Sequence, residues 1–320
     1  MIKEQNEEDL YYGHILSSEK DLYFVAVDPS VTEVDDFKVK SLFHEDSQSL
    51  FVNCRGRGVF RDKSIKPIVG DRVLIKLNEE RDEGTIFEVL DRKNSMERPR
   101  VANVDQFLLV QSLVEPDITQ LGLDKILVSI ELRGLPLIIC FNKLDKTDEK
   151  KAVAWLNLYK NIGYRVLLTS TINDMGMDEL RDMLKGKISA IAGPSGAGKS
   201  SIISRLTGQN LKVGDLSRKT MRGRQTTRNT RLYTLDSESF IFDTPGFSSL
   251  SIGDLESGVQ LAKYFPEIGR LGKDCKFRNC SHRKEPDCKV KEGLEKGLID
   301  KGRYNSYLSI LKEIEDRRPF

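Results

Sequence analysis

The rhythm of hydrophobic and polar positions changes twice along this 320-residue chain. Between about residues 11 and 90 the apolar positions fall in short β-type runs, at 22–27, 50–52, 73–76 and 85–90, separated by Gly, Asp and Ser. Runs of that length bounded by turn residues predict strands, and five or so strands in roughly eighty residues suit a small all-β barrel. An OB-type barrel is favoured, although periodicity alone does not separate it from an SH3-like one. Arg98-Pro99-Arg100 then interrupts the pattern.

From Gln106 onward, apolar strands alternate with amphipathic helices. Strands are expected at 107–110, 135–141, 164–170 and 188–192, and helices at 121–132, 149–161, 177–184 and 199–206. Buried strands alternating with helices imply a mostly parallel sheet covered on both faces, with ligands at the carboxyl ends of the strands. A further strand at 240–243 precedes a tail that begins near Ser251, carries most of the cysteines and ends in a helix at 304–314. The expected organisation is therefore multidomain: an all-β OB-type barrel over 1–98, an α/β P-loop domain over 99–250, and a small α-helical zinc-binding domain over 251–320.

Charge adds little to this picture, because 51 Lys and Arg balance 49 Asp and Glu. Only local patches can then mark a nucleic-acid surface. The acidic start, Met1-Ile2-Lys3-Glu4-Gln5-Asn6-Glu7-Glu8-Asp9, lacks the apolar core of an export signal. The longest apolar run, 135–141, is far short of the ~20 residues a spanning helix needs. A cytoplasmic protein without a membrane segment is expected, and a monomer. In that setting the five cysteines read as thiols or metal ligands and not as disulfides.

Gly193-Pro194-Ser195-Gly196-Ala197-Gly198-Lys199-Ser200 fits G-x-x-x-x-G-K-[ST] between an expected strand and an expected helix. Glycines let backbone N–H groups wrap phosphates, Lys199 would bring a cation to the β- and γ-phosphates, and the Ser200 hydroxyl would ligate Mg²⁺. Contacts are expected to continue to Ser201. Asn142-Lys143-Leu144-Asp145 stands at the end of another strand, where the Asp145 carboxylate can accept from guanine N1 and N2 protons that adenine does not offer. Asp243-Thr244-Pro245-Gly246 matches D-x-x-G: Asp243 would hold Mg²⁺ through water, and the Gly246 N–H would sense the γ-phosphate. Between the last two motifs, 218–228 contains no acidic residue and sits where a switch belongs, with Thr226 or Thr227 as the metal-sensing residue.

Cys275-x4-Cys280-x-His282-x5-Cys288 offers the Cys₃His set of a closed tetrahedral site. Four protein ligands leave no position for water, so one structural Zn²⁺ per chain is expected. The interleaved Lys276, Arg278, Arg283 and Lys284 give this knuckle a basic face suited to nucleic acid.

Together these features resemble the ribosome small-subunit-dependent GTPases of the RsgA/YjeQ family over essentially the whole length. The resemblance rests on the β-rich first domain, on Arg92-Lys93-Asn94-Ser95-Met96-Glu97-Arg98-Pro99 leading to Ala102-Asn103-Val104-Asp105-Gln106, on the cysteine knuckle, and on a motif order that places the guanine motif before the phosphate loop. It implies a circularly permuted GTPase acting late in maturation of the small ribosomal subunit, bound to its rRNA and stimulated by it. It also assigns Ser170-Thr171 to the position of the family's guanine-contacting Ser-Ala pair, Thr171 being a mild departure. A larger departure is Gln225, in Gly223-Arg224-Gln225-Thr226-Thr227, where the family usually carries histidine. Glutamine can orient an attacking water but cannot act as a general base. Two other readings remain: a guanylate-kinase-like phosphotransferase, suggested by the phosphate loop, and a nucleotide-gated rRNA-binding scaffold.

Overall fold

A computed structural model describes residues 10–28, 50–56, 66–78, 83–97, 99–115, 118–208, 230–243 and 258–317. They group into two compact units, each assembled from separate stretches of chain.

The first unit opens with strands β1 (Leu10–Glu19), β2 (Leu22–Val27), β3 (Leu50–Gly56), β4 (Arg72–Asn78) and β5 (Glu83–Val89). They form a closed barrel in the order β1-β2-β3-β5-β4, completed by antiparallel pairing of β1 with β4. A parallel step joins β3 to β5. This order decides for the OB type over the SH3-like barrel. Alternation explains the core: Tyr23 and Val25 on β2, Val52 and Cys54 on β3, Val73 and Ile75 on β4 and Ile86 on β5 all turn inward. Strand β1 was absent from the expected runs. Its alternation is broken by a register shift between Ile15 and Ser17, which lets one long strand serve two neighbours.

A short hairpin, β6 (Ser95–Glu97) and β7 (Arg100–Ala102), follows. Asn94 and Asn103 brace the exit from it: Asn94 Nδ2 donates to the Val104 carbonyl, and Asn103 Nδ2 to that of Gly70. The same unit holds strands β11 (Ile188–Ala192), β12 (Arg231–Thr234) and β13 (Phe240–Asp243), with β11 parallel and β12 antiparallel to β13. The four-residue edge strand β12 was also not foreseen.

In the second unit, β8 (Gln106–Ser112), β9 (Leu137–Asn142) and β10 (Arg165–Leu168) pair in parallel, β9 in the middle. Every residue of β8 and β9 is buried, the pattern of parallel strands covered on both faces. Helix α1 (Gln120–Glu131) is capped by Thr119, whose hydroxyl accepts from the Gly122 N–H. Helix α2 (Glu149–Ile162) is capped by Asp148 and ends at Gly163 in the left-handed region. Helix α3 (Met177–Leu184), which follows β10, and α4 (Lys199–Thr207), which follows β11, belong to the first unit from Glu179 and from Ser200 onward. The tail forms α5 (Gly258–Leu261), α6 (Pro266–Gly272), α7 (Lys289–Glu295) and α8 (Lys301–Asp316) around a core that includes Phe265, Ile268, Val290, Tyr307 and Ile310.

Candidate nucleotide site and metal centre

Strand β11 delivers the chain into the glycine-rich loop, and α4 starts at Lys199. Gly193, Gly196 and Gly198 have φ of 130°, 80° and 96°, a region that L side chains rarely adopt. Two of them are required by contact as well. A Cβ on Gly193 would stand 2.0 Å from the Val110 carbonyl oxygen, and one on Gly198 would stand 2.2 Å from Asn142 Nδ2. Pro194, Ser195 and Gly196 form the accessible lip, while Ala197 is buried beneath it. The Lys199 ammonium folds back and donates to the carbonyls of Gly193 and Pro194, both at 2.7 Å. Ser200 and Ser201 lie half-buried in the first turn of α4.

The second motif meets this loop directly. Asn142, the last residue of β9, donates from Nδ2 to the Ala197 carbonyl at 3.1 Å. Its Oδ1 accepts from the Thr169 hydroxyl at 3.2 Å, and Thr169 in turn contacts the Cys140 thiol at 3.0 Å. Burial pushes that thiol up to about 12, so it stays protonated and inert. Lys143 takes a left-handed conformation, φ 65°, which turns the chain sharply into the 3-10 turn Leu144–Lys146 that carries Asp145. Ser170 Oγ donates to Asp145 Oδ1 at 2.5 Å and fixes the carboxylate. Thr171 begins the loop beyond, where Gly176 (φ 68°) crosses close to the Leu168 carbonyl.

Asp243 closes β13 and is buried. Thr244, Pro245, Gly246, Phe247 and the whole of 218–228, with Gln225, Thr226 and Thr227, lie outside the described residues. The sequence reasoning missed Thr169. Its only signal was a polar residue ending an apolar strand, one place before Ser170.

The four knuckle residues converge. One donor atom from each of Cys275, Cys280, His282 and Cys288 lies within 4.8 Å of the others. Cys275 Sγ and Cys288 Sγ are 3.9 Å apart, and His282 Nδ1 is 3.6 and 3.5 Å from them. Tetrahedral ligands at Zn–S and Zn–N lengths would be separated by about 3.5–3.8 Å, so the set fits such an ion. The turn between them is held by Glu285, which accepts from the Ser281, Arg283 and Lys284 N–H groups and from Ser281 Oγ. Burial pushes this carboxyl up, but those donors outweigh it and hold the group down at about 2. From α8, Tyr304 and Tyr307 donate to the His282 and Ser281 carbonyls.

The basic face expected on the knuckle divides in the structure. Lys276 pairs with Asp287 and Arg283 with Glu315, while Arg278 has no ion-pair partner among the described residues.

Comparison with known proteins places the chain among relatives of one family. A family model described as the RsgA GTPase matches residues 89–253, and one described as the RsgA N-terminal domain matches 38–86. A protein of Caldanaerobacter subterraneus named small ribosomal subunit biogenesis GTPase RsgA is 40% identical over 280 residues, covering 87% of this chain and 94% of its own. Its namesake in Bacillus anthracis is 43% identical over 280 residues, covering 86% and 94%. Among solved structures, YloQ, described as a circularly permuted GTPase, superposes with a TM-score of 0.75 at 31% identity over 99% of both chains. YjeQ from Thermotoga maritima gives a TM-score of 0.75 at 33% identity over 97% of this chain and all of its own. With its phosphate loop and guanine motif joined through Asn142, and with relatives of this identity spanning most of its length, the chain belongs to the RsgA family of circularly permuted GTPases.

Proposed function

We propose that this chain binds and hydrolyses GTP during late maturation of the small ribosomal subunit, and that the subunit stimulates the reaction. The observation that supports this most strongly is Asn142, whose amide ties the guanine motif to the Ala197 carbonyl of the phosphate loop. In this reading Asp145, held by Ser170, accepts from guanine N1 and N2, and Lys143, Ser170 and Thr171 line the base. Backbone N–H groups of Gly193 and of Ser195 to Ser201 surround the phosphates, with Pro194 shaping the loop between them. Lys199 leaves the Gly193 and Pro194 carbonyls for the β- and γ-phosphate oxygens, where its charge stabilises the transition state. The donor set for Mg²⁺ is the Ser200 hydroxyl, Asp243 and Thr226 or Thr227. Gly246 reads the γ-phosphate, and Gln225 orients the attacking water.

Phosphoryl transfer relies on positioning and charge, so a water-orienting amide suffices once the subunit completes the catalytic geometry. The Cys275, Cys280, His282 and Cys288 set holds one structural Zn²⁺, whose chemistry is to fix a fold too small to be stable by its core alone. The barrel and the knuckle grip rRNA, and the protein works as a cytoplasmic monomer. Among the described residues no helix is long and apolar enough to cross a membrane. The motif order supports a covalent route for release: the segment after Asp243 leads straight into the zinc-bearing tail.

GTP turnover with and without purified small subunits tests the reading. The expected result is at least a tenfold rise in turnover when subunits are added, abolished by Lys199→Ala. Unchanged turnover in the presence of subunits would overturn it.

A further inference from the structure

Several carboxylates around the knuckle are committed to a cation. Lys276 pairs with Asp287, Arg283 with Glu315, and Lys289 and Lys296 share Glu292. Four exposed cations in the same region are different: Lys263, Arg270, Lys273 and Arg278 have no carboxylate partner among the described residues. All four line one cleft of about 520 Å³ between α6, the turn before it and the knuckle, and among the described residues no acidic side chain lines it. Arg270 is held in place by its bond to the Ile162 carbonyl, so one guanidinium is already oriented.

The floor of the cleft is made by small or apolar groups, among them Ala262, Pro266 and Gly269. Gly272 and His282 also line it, and a Cβ on Gly272 would lie 3.1 Å from His282 Cε1 and 3.2 Å from Nε2. With no side chain there, the Gly272 backbone packs directly against an imidazole that is 3% exposed. His282 Nδ1 faces the sulfurs, so the opposite edge of the ring is the one turned toward Gly272.

The geometry points to a pocket for one unstacked nucleotide of single-stranded RNA, with the base on the apolar floor and the flanking phosphates on Lys263, Arg270, Lys273 and Arg278. The volume lies within the roughly 300–1,000 Å³ of small-ligand pockets. A cationic rim around an apolar floor complements a phosphodiester chain carrying a splayed base. A protein partner presenting acidic side chains would match the rim but leave the apolar floor unused. The inference rests on the proposed action on the small ribosomal subunit and specifies one contact that action would use.

The test uses the zinc-loaded full chain and fluorescein-labelled RNA twelve-mers in anisotropy titrations at several salt concentrations. Lys273→Gln and Arg278→Gln should each weaken single-stranded binding about 3- to 10-fold and reduce the slope of log affinity against log salt by about 0.7 per lost phosphate contact. Lys276→Gln and Arg283→Gln, which remove cations already paired, should change neither. An RNA with one central abasic site should bind more weakly than its parent, and an iodouridine at that position should crosslink within residues 262–282. Equal affinity of cleft variants and wild type, equal affinity of abasic and intact RNA, or losses confined to Lys276→Gln and Arg283→Gln would each overturn the pocket. Subunit-stimulated GTP turnover of the wild type, measured on the same preparation, separates the outcomes. Stimulation with an inert cleft sinks only the pocket, whereas absent stimulation sinks the functional reading itself.

Discussion

Replacing Arg303 by methionine should destabilise the second unit by about 3–5 kcal/mol, the usual consequence of removing one member of a buried ion cluster. Arg303, on α8, is almost completely enclosed, with a side chain 1% exposed. Its Nη1 donates to Asp124 Oδ1 on α1 at 2.6 Å, and its Nε and Nη2 grip Glu267 on α6 at 2.8 and 3.1 Å. The guanidinium carbon also lies 4.5 Å from the Phe265 ring centre and 5.5 Å from that of Tyr159. Tyr159, on α2, donates to the same Asp124 oxygen. Four helices thus meet on one cation, and its removal would leave two carboxylates in low dielectric without a counter-charge.

Burial already raises the Asp124 carboxyl, against the pull of Arg303. Without that pull the folded-state carboxyl rises further above its unfolded value. The variant then recovers stability as pH falls toward 5 and loses it as pH rises. Urea unfolding followed through Trp155 is the assay, because this is the single tryptophan and it stacks on Tyr159 at 6.1 Å. Combining Arg303→Met with Asp124→Asn and Glu267→Gln should restore at least half of the loss, since no buried charge then remains. A deficit of Arg303→Met below about 1 kcal/mol, or a triple variant no better than the single one, would refute the charge argument and leave only packing.

The remaining predictions concern the site, the metal and the barrel. Gly198→Ala places a Cβ 2.2 Å from Asn142 Nδ2 at a φ of 96°, and should reduce affinity for a fluorescent GTP analogue at least a hundredfold while thermal unfolding of the barrel is unchanged. Asp145→Asn exchanges an acceptor pair for a donor and an acceptor. GTP affinity should fall about 10- to 100-fold, and binding of xanthosine triphosphate should rise in the same competition assay. Chelation of the metal should release one zinc per chain and make three thiols, Cys275, Cys280 and Cys288, react quickly, while buried Cys54 and Cys140 stay slow; five fast thiols would show that the tail does not fold independently of the rest. Burial, aided by Arg72, lowers the His14 imidazole to about 4, below its unfolded value near 6.5. The unfolded chain therefore takes up a proton that the native one refuses, and about 3 kcal/mol at most is lost as pH falls from 6.5 to 4. His14→Phe, which keeps the contact with Phe240, should flatten that part of the stability curve in calorimetry.

Much of the molecule was legible because its determinants are local. The phosphate loop is recognisable in a string of residues because Gly193, Gly196 and Gly198 take positive φ values that L side chains rarely adopt. The cysteine knuckle is legible for a similar reason: a tetrahedral ion fixes short spacings between its ligands. The parallel strands announced themselves as largely apolar runs. Strand β12 did not, since a four-residue edge strand owes its existence to its partner β13 more than to its own side chains.

What only the tertiary structure decided are relations between residues far apart in the chain. Asn142 and Ala197, 55 positions apart, become donor and acceptor, with Thr169 as brace. The partition of the basic face into paired and unpartnered cations depends on Glu315 arriving from the last helix. Arg303 would read in isolation as one more exposed helix cation, and it is buried because Asp124, from 179 positions away, meets it. Sequence alone thus determined which chemical groups are present and the local shapes that steric limits impose. Folding decided which groups face one another, because charge pairing and burial depend on distances that chain topology sets and sequence spacing does not reveal.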